Sequence, residues 1–178
     1  MTGYMPGKRG WAKRRTRRAF LAAAADLLSD KDFSEVSVID VCDVAGIPRA
    51  TFYNYFADKY ELVRAAAADL VEKIEGYKPE EGADERTVVS DLIDLIMHYC
   101  RTQSGLLAPF FRIGGIVADA VAVALEKKLS ETTSMDELGA CVSAAQIAYA
   151  VKWWTEAECV MEDDFFRERL TRLVGRRS

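Results

Sequence analysis

The sequence has one histidine, His98, and it has no glycine-rich phosphate loop. A single imidazole leaves no second residue at a spacing that would hold a metal ion or activate a nucleophile. The cysteines are few and lie far apart within helical patterns, which matches neither a disulfide framework nor a zinc site. They are Cys42, Cys100, Cys141 and Cys159. We therefore expect a protein that is not an enzyme, that holds no metal or cofactor, and that works in the reducing cytoplasm.

Long uncharged apolar runs are also missing. The nearest approach to one, from Ile113 to Leu125, is too short for a membrane span and contains Asp119. No apolar segment follows the basic N-terminus in the order of a signal peptide. We expect no contact with a membrane. With 50% hydrophobic and 29% charged residues, the composition is typical of a globular protein.

Charge is unevenly distributed along the chain, although the net charge is only −4. Residues 1–60 carry a net charge of +3 and residues 61–178 a net charge of −7. Seven of the ten Lys and Arg residues in the first part lie between Lys8 and Arg18. A basic segment attached to an acidic body indicates contact with a polyanion, and a solubilising tail is the alternative.

Helical periodicity predicts an all-α fold of about nine helices. A first helix is expected from Trp11 to Asp30. The sequence Ser37-Val38-Ile39-Asp40 is a capping box that starts a short helix ending at Ala45, and Gly46-Ile47-Pro48 stops that helix. A second capping box is expected at Ser134-Met135-Asp136-Glu137. The further helices are expected at about 49–56, 59–77, 86–103, 106–113, 117–129, 136–159 and 163–174.

Two short helices joined by a glycine-containing turn, after a longer helix, are typical of a helix-turn-helix. The second helix has aromatic residues on both sides. Phe52 and Phe56 share one face, which we expect to pack on Phe20, Leu27 and Val41 in the core. The opposite face is then free to enter the major groove of DNA. It carries Arg49, Ala50, Tyr53 and Asn54.

The segment from Ser37 to Leu62, SVIDVCDVAGIPRATFYNYFADKYEL, resembles the DNA-binding signature of the TetR family of bacterial transcription regulators. The shared features are a Ser or Thr cap, a short helix, Ala-Gly-Ile, Thr-Φ-Tyr before an aromatic pair, and a Lys-x-x-Leu start to the fourth helix. Two positions depart from the pattern: Asp32 replaces a common glycine, and Pro48 replaces a common serine. The resemblance implies an N-terminal helix-turn-helix domain and a C-terminal helical bundle for ligand binding and dimerisation.

The resemblance also assigns roles to individual residues. Contacts with DNA phosphates are implied for Ser37, Thr51, Tyr55 and Lys59, although Tyr55 has the alternative of a core aromatic. Contacts with base edges or the nearby backbone are implied for Arg49, Ala50, Tyr53 and Asn54, with plain solvent exposure as the alternative for Asn54. The basic segment from Lys8 to Arg18 is called the arm below. The resemblance implies that it approaches the DNA backbone or the minor groove through Arg14 and Arg18, with Lys13 and Arg17 beside them.

Three parts of the chain are expected from the pattern. Residues 1–58 form the arm and the helix-turn-helix domain, residues 59–77 a connecting helix, and residues 78–178 the ligand-binding and dimerisation domain. The helix from Asp136 to Cys159 is apolar nearly all round, so more than one side of it must be covered. We expect a homodimer contact through Ala140, Ala144, Ala148, Phe166 and Leu170, with the core of a monomeric bundle as the alternative.

A cavity for a small apolar or aromatic ligand is implied by the resemblance. Its expected lining mixes aromatic and polar side chains, each of which has the alternative of a plain core or surface role. The expected residues are His98, Tyr99, Gln103, Phe110, Phe111, Gln146 and Trp153. The favoured function is a sequence-specific repressor of a near-palindromic operator in double-stranded DNA, released by this ligand. The alternative is a DNA-binding regulator controlled by a protein partner or by no ligand.

Overall fold

A computed structural model describes residues 8–102, 107–113, 115–157 and 162–175. All regular secondary structure in these ranges is helical, which confirms the expected all-α class. The chain divides into two compact units, Met1–Val63 and Arg64–Ser178. The helices of the described ranges are α1 (Lys8–Asp30), α2 (Val38–Ala45), α3 (Arg49–Phe52), α4 (Lys59–Gly76), α5 (Glu85–Thr102), α6 (Ala108–Phe111), α7 (Ile116–Thr132), α8 (Glu137–Glu156) and α9 (Asp163–Val174).

Local side chains and one glycine define helix α2. The Ser37 Oγ accepts the Asp40 amide N–H at 3.2 Å, and the Asp40 carboxylate accepts the Ser37 amide N–H at 2.8 Å. These bonds confirm the expected capping box. At the other end Gly46 adopts φ 64°, and its amide donates to the carbonyls of Asp43 and Cys42. This left-handed conformation suits glycine, and it turns the chain sharply toward α3.

Aromatic packing holds α3 in the first unit. Phe52 is 0% exposed and Phe56 is 2% exposed. The Phe20 ring of α1 meets the Phe52 ring edge-on at 5.3 Å and the Phe56 ring at 6.1 Å. Val41 of α2 is also buried. The expected division of the aromatics between a buried and an outer face is therefore confirmed for Phe52 and Phe56.

Several helix boundaries differ from the expected ones. Helix α6 is shorter than expected, α7 is longer at its C-terminal end, and α8 is shorter at that end. Helix α1 extends back to Lys8 rather than starting at Trp11. Helix α3 ends at Phe52 rather than Phe56, because the chain tightens into turns in which the Tyr55 amide bonds to the Phe52 carbonyl at 2.9 Å. The N-cap of α8 is Asp136 and not Ser134, since the Asp136 carboxylate accepts the Gly139 amide N–H at 2.7 Å.

In the second unit α8 packs most extensively against α7, and it also contacts α5, α6 and α9. Trp154 of α8 is fully buried, and its ring stacks on Phe166 of α9 at 5.6 Å. The guanidinium of Arg101 also lies over the Trp154 ring, 5.0 Å from its centroid, and pairs with Asp163. These contacts join α5, α8 and α9 at one end of the unit.

The small residues of α8 lie inside the protomer. Ala140, Ala144 and Ala148 are buried, and small side chains allow neighbouring helices to pack closely on this face. The outer face of α8 instead carries large apolar side chains, among them Leu138, Tyr149 and Trp153. None of the helices in the described ranges is long and apolar enough to cross a membrane.

Candidate nucleic-acid interface

The outer face of α3 and its following turn is open to solvent. Arg49, Ala50, Tyr53 and Asn54 are exposed, as the sequence predicts. Thr51 and Tyr55 are half-buried, and the Tyr55 ring packs 6.1 Å from that of Phe20. Each of these six side chains stays within reach of a surface ligand, while Tyr55 also takes part in the core.

Arg49 and Tyr53 are hydrogen-bonded to each other across one helical turn. Arg49 donates to the Tyr53 hydroxyl oxygen from Nη2 at 2.9 Å and from Nε at 3.3 Å. The guanidinium carbon lies 5.4 Å from the centroid of the tyrosine ring. The bond to Tyr53 raises the pKa of Arg49 above its ordinary value, so the group is cationic at any physiological pH. The sequence analysis did not recognise this pair, although the i, i+4 spacing that allows it was visible.

Ser37 lies at the N-terminus of α2, where a phosphate contact was expected. Its hydroxyl donates to the Asp40 carboxylate at 2.6 Å, so its proton is already in use within the capping box. This bond, together with the bond from the Ser37 amide, lowers the pKa of Asp40. The structure thus gives Ser37 a local role in holding α2, and a phosphate contact by the hydroxyl requires a change of acceptor.

Lys59 begins α4 and has two partners in the loop between α1 and α2. Its Nζ donates to the carbonyl of Phe33 at 2.8 Å and to that of Val36 at 2.9 Å. The same ammonium lies 4.5 Å from the centroid of the Phe33 ring, and Tyr60 meets that ring edge-on at 5.2 Å. One of its three N–H donors remains for a phosphate. The two carbonyl partners could not be predicted, because backbone acceptors leave no signature in a pattern of side chains.

The basic arm lies on helix α1. Lys13, Arg14 and Arg18 are exposed, and Arg17 is half-buried. Helical structure presents these cations on successive turns, which suits contact with the sugar–phosphate backbone.

The expected ligand-site residues divide between the interior and the surface of the second unit. Phe110 and Phe111 of α6 are fully buried, and Tyr99 is half-buried. His98, Gln146 and Trp153 are exposed. Gln103 lies outside the described residues. Among the described residues of this expected set, Phe110 and Phe111 alone have side chains fully inside the apolar interior.

The expected dimer residues also lie inside the protomer. Ala140, Ala144 and Ala148 are buried, as are Phe166 and Leu170 of α9. Their side chains are covered by the protomer itself, so a second copy would meet the opposite faces of the two helices. That surface carries Leu138, Tyr149, Trp153, Phe165 and Leu173, which are all exposed.

Comparisons with known proteins agree with this geometry. Residues 20–66 match the family model described as bacterial regulatory proteins, tetR family. The chain is 42% identical over 55 residues to the HTH-type transcriptional regulator EthR of Mycolicibacterium smegmatis, covering 31% of this chain and 25% of EthR. It is 33% identical over 97 residues to the HTH-type transcriptional repressor LfrR of the same organism, covering 51% of this chain and 50% of LfrR. The chain thus spans half or less of these relatives.

One solved structure shows how far the fold extends. The fatty acid degradation regulator FadR from Bacillus halodurans aligns with a TM-score of 0.69 over 91% of this chain and 96% of its own. Its sequence is 17% identical. At this identity the likeness concerns the fold alone, and it extends through both units.

Replacing Lys59 by Ala removes two charge-assisted hydrogen bonds to the loop between α1 and α2. We expect this change to lower the free energy of unfolding by about 2 kcal/mol. Urea unfolding followed by circular dichroism measures the effect. Lys73→Ala, which alters an exposed lysine of the same helix, is the control and should leave stability nearly unchanged. Equal midpoints for the two variants would show that the Phe33 and Val36 carbonyls do not depend on Lys59.

Proposed function

Because residues 20–66 match the family model of tetR-family bacterial regulatory proteins, we propose that the chain is a TetR-type, sequence-specific DNA-binding transcriptional regulator. The observation that carries the proposal is the sorting of side chains on α3. Phe52 is buried in the core, while Tyr53, the next residue, is 47% exposed beside Arg49, Ala50 and Asn54. A short helix with a polar outer face and an aromatic anchor is what entry into the major groove requires.

The charge distribution supports the same function. The cations of α1 and the exposed face of α3 belong to the first unit, whereas the rest of the chain is acidic. The first unit therefore attracts a polyanion, and the acidic second unit repels it. Among polyanions, DNA is the one that fits a helix-turn-helix. Since the DNA lies in the cytoplasm, the protein acts there.

DNA binding is tested by selection from a pool of random duplexes, followed by affinity measurements at several salt concentrations. We expect a near-palindromic site, and a slope of log affinity against log salt of about −0.9 for each phosphate contact. Arg18→Ala should weaken all sequences alike and make the slope shallower by about 0.9. Arg86→Ala, an exposed arginine of the second unit, should change neither quantity. Failure to enrich any sequence would contradict the proposed function.

A near-palindromic site requires two copies of α3 related by a two-fold axis, about 34 Å apart. Large exposed apolar side chains mark the surface for the second copy. The described residues of the second unit include six large apolar side chains that are exposed. Five of these six belong to α8 and α9. Those five are Leu138, Tyr149, Trp153, Phe165 and Leu173.

The arrangement of α8 and α9 fits a two-fold contact. Trp154 stacks on Phe166 at one end, and a cleft lined by Leu138 and Val174 lies at the other, so the two helices are antiparallel. Helix α8 has 20 residues, a length of about 30 Å. Helix α9 has 12 residues, about 18 Å. The two helices, packed on their copies, make a four-helix bundle large enough for a stable dimer. On α9 the apolar Phe165 and Leu173 share a cleft with Glu168, Arg169 and Arg172. A surface that combines apolar groups with charges of both signs suits a copy of itself.

Leu138→Glu places a charge in the proposed dimer surface and should convert the dimer to a monomer at micromolar concentration. Sedimentation velocity measures the state, and circular dichroism checks that helicity is retained. Val123→Glu is the matched control, because Val123 on α7 is 68% exposed and Leu138 is 70% exposed. Ala144→Glu should instead unfold the protomer. A monomeric wild type, or identical behaviour of the Leu138 and Val123 variants, would contradict this surface.

Control by a small apolar or aromatic molecule is the further part of the proposal. The support is the pair of buried phenylalanines on α6, a helix of only four residues. Gly115, which follows closely, has φ 92°, and a break of this kind lets a short helix shift. Helix α4 begins in the first unit and continues in the second, so it is the candidate for transmitting the change. A protein partner, or no effector, is the alternative.

Ligand control requires reciprocal coupling between the ligand and DNA. The aromatic dye 1-N-phenylnaphthylamine is a suitable fluorescent probe of an apolar cavity. We expect the selected duplex to weaken dye binding by the same factor by which the dye weakens duplex binding, and a difference of about 1.4 kcal/mol gives tenfold. Phe111→Ala should change dye affinity, and Val123→Ala, which alters an exposed residue of α7, should not. Equal dye affinities with and without duplex would show that this cavity does not control DNA binding.

A further inference from the structure

The hydrogen bonds between Arg49 and Tyr53 leave a defined set of groups facing outward. A guanidinium has a side-on edge, formed by Nε–H and one N–H of Nη2, and an end-on edge, formed by one N–H each from Nη1 and Nη2. Arg49 donates to the Tyr53 oxygen from Nε and Nη2. Tyr53 therefore occupies the side-on edge, and the end-on fork of Arg49 is free to bind another group.

The tyrosine hydroxyl is changed by the same contacts. A phenol oxygen accepts through its two lone pairs and donates one proton. With two N–H groups directed at that oxygen, its remaining capacity is the O–H donor. The pair therefore presents donors only: the fork of Arg49 and the hydroxyl of Tyr53. It has no acceptor to offer to a base.

A donor-only pair discriminates among the bases of the major groove. Guanine presents two acceptors, N7 and O6, on one edge. Adenine presents one acceptor next to an amino donor, cytosine an amino donor, and thymine one acceptor next to a methyl group. Only guanine satisfies both N–H groups of an end-on fork. Within the described residues Arg49 is bonded to Tyr53 and to no carboxylate, so its charge is available to the base.

We propose that Arg49 reads one guanine in each half-site and that Tyr53 is the positioning residue that aims the Arg49 fork at it. The inference rests on the proposed DNA-binding function and adds the identity of a base to it. An arginine side chain is flexible, and ordering it on binding costs conformational entropy. This cost is smaller when a neighbouring residue already fixes the plane of the guanidinium. Tyr53 supplies that constraint, because its hydroxyl oxygen lies 2.9 Å from Arg49 Nη2 and its ring centroid lies 5.4 Å from Arg49 Cζ.

The first experiment repeats the duplex selection with Tyr53→Phe and Arg49→Ala. The phenylalanine keeps the ring and its edge-on contact with Phe52 at 5.6 Å, so the fold is retained while the oxygen is lost. Wild type should select a guanine at one position of each half-site. Arg49→Ala should abolish that preference, and Tyr53→Phe should reduce it about fivefold to tenfold while other positions keep theirs. Tyr60→Phe is the control, since Tyr60 is also 47% exposed, and should resemble wild type.

The second experiment replaces the selected guanine by 7-deazaguanine, which lacks the N7 acceptor, or by inosine, which keeps N7 and O6. Wild type should lose affinity about tenfold with 7-deazaguanine and tolerate inosine. Arg49→Ala should be indifferent to both. The loss of affinity that 7-deazaguanine causes in Tyr53→Phe should be smaller than in wild type and larger than in Arg49→Ala. A purely structural role for Tyr53 would not produce this intermediate loss.

The outcomes separate the inference from the function on which it rests. A protein that enriches no duplex overturns the proposed function. A protein that enriches a duplex supports the proposed function. The inference is still overturned if no selected guanine depends on Arg49, or if the effect of 7-deazaguanine persists in Arg49→Ala. If Tyr53→Phe weakens all sequences alike and leaves the guanine preference intact, Tyr53 contacts the backbone and does not position Arg49.

Discussion

The burial of Phe52 against Phe20 is the contact on which the outer surface of α3 depends. Helix α3 has four residues, whereas an isolated helix in water is marginal below about 12 residues. It is present because Phe52 and Phe56 insert into the space beside Phe20, with rings 5.3 and 6.1 Å away. The same insertion fixes the rotation of α3 about its axis, and this rotation decides that Arg49 and Tyr53 point outward. The position and the exposure of Arg49 and Tyr53 therefore both result from one hydrophobic contact.

The first unit could be predicted closely from the sequence, because its signals are local. Ser37 and Asp40 cap α2 through atoms three residues apart, and Gly46 supplies the φ 64° that the turn needs. Such features need no knowledge of the rest of the chain. The partners of Lys59 were missed for the opposite reason: the carbonyls of Phe33 and Val36 are distant in sequence, and any residue has a carbonyl.

The second unit was harder to predict, and α8 shows why. Its sequence is apolar nearly all round, so periodicity cannot tell the inward from the outward face. The stripe of Ala140, Ala144 and Ala148 suited either a neighbouring helix or a second copy, and its burial in the protomer decides between them. The start of α8 was ambiguous as well. Ser134 and Asp136 are both good caps, but Thr133 accepts the Met135 amide N–H at 3.3 Å, and the helix begins only after Asp136.

The exposure of the outer face of α3 has a consequence for how such a protein diverges. Arg49, Ala50, Tyr53 and Asn54 are exposed, and substitutions at exposed positions usually change stability by no more than about 0.5 kcal/mol. If α3 binds DNA as proposed, duplicated copies of the gene can acquire new target sequences through changes at a few codons while the protein stays folded. The Phe20, Phe52 and Phe56 positions lack this freedom, because removing a buried ring costs about 3–5 kcal/mol. Selection on DNA targets and selection on folding consequently act on different residues of the same short segment.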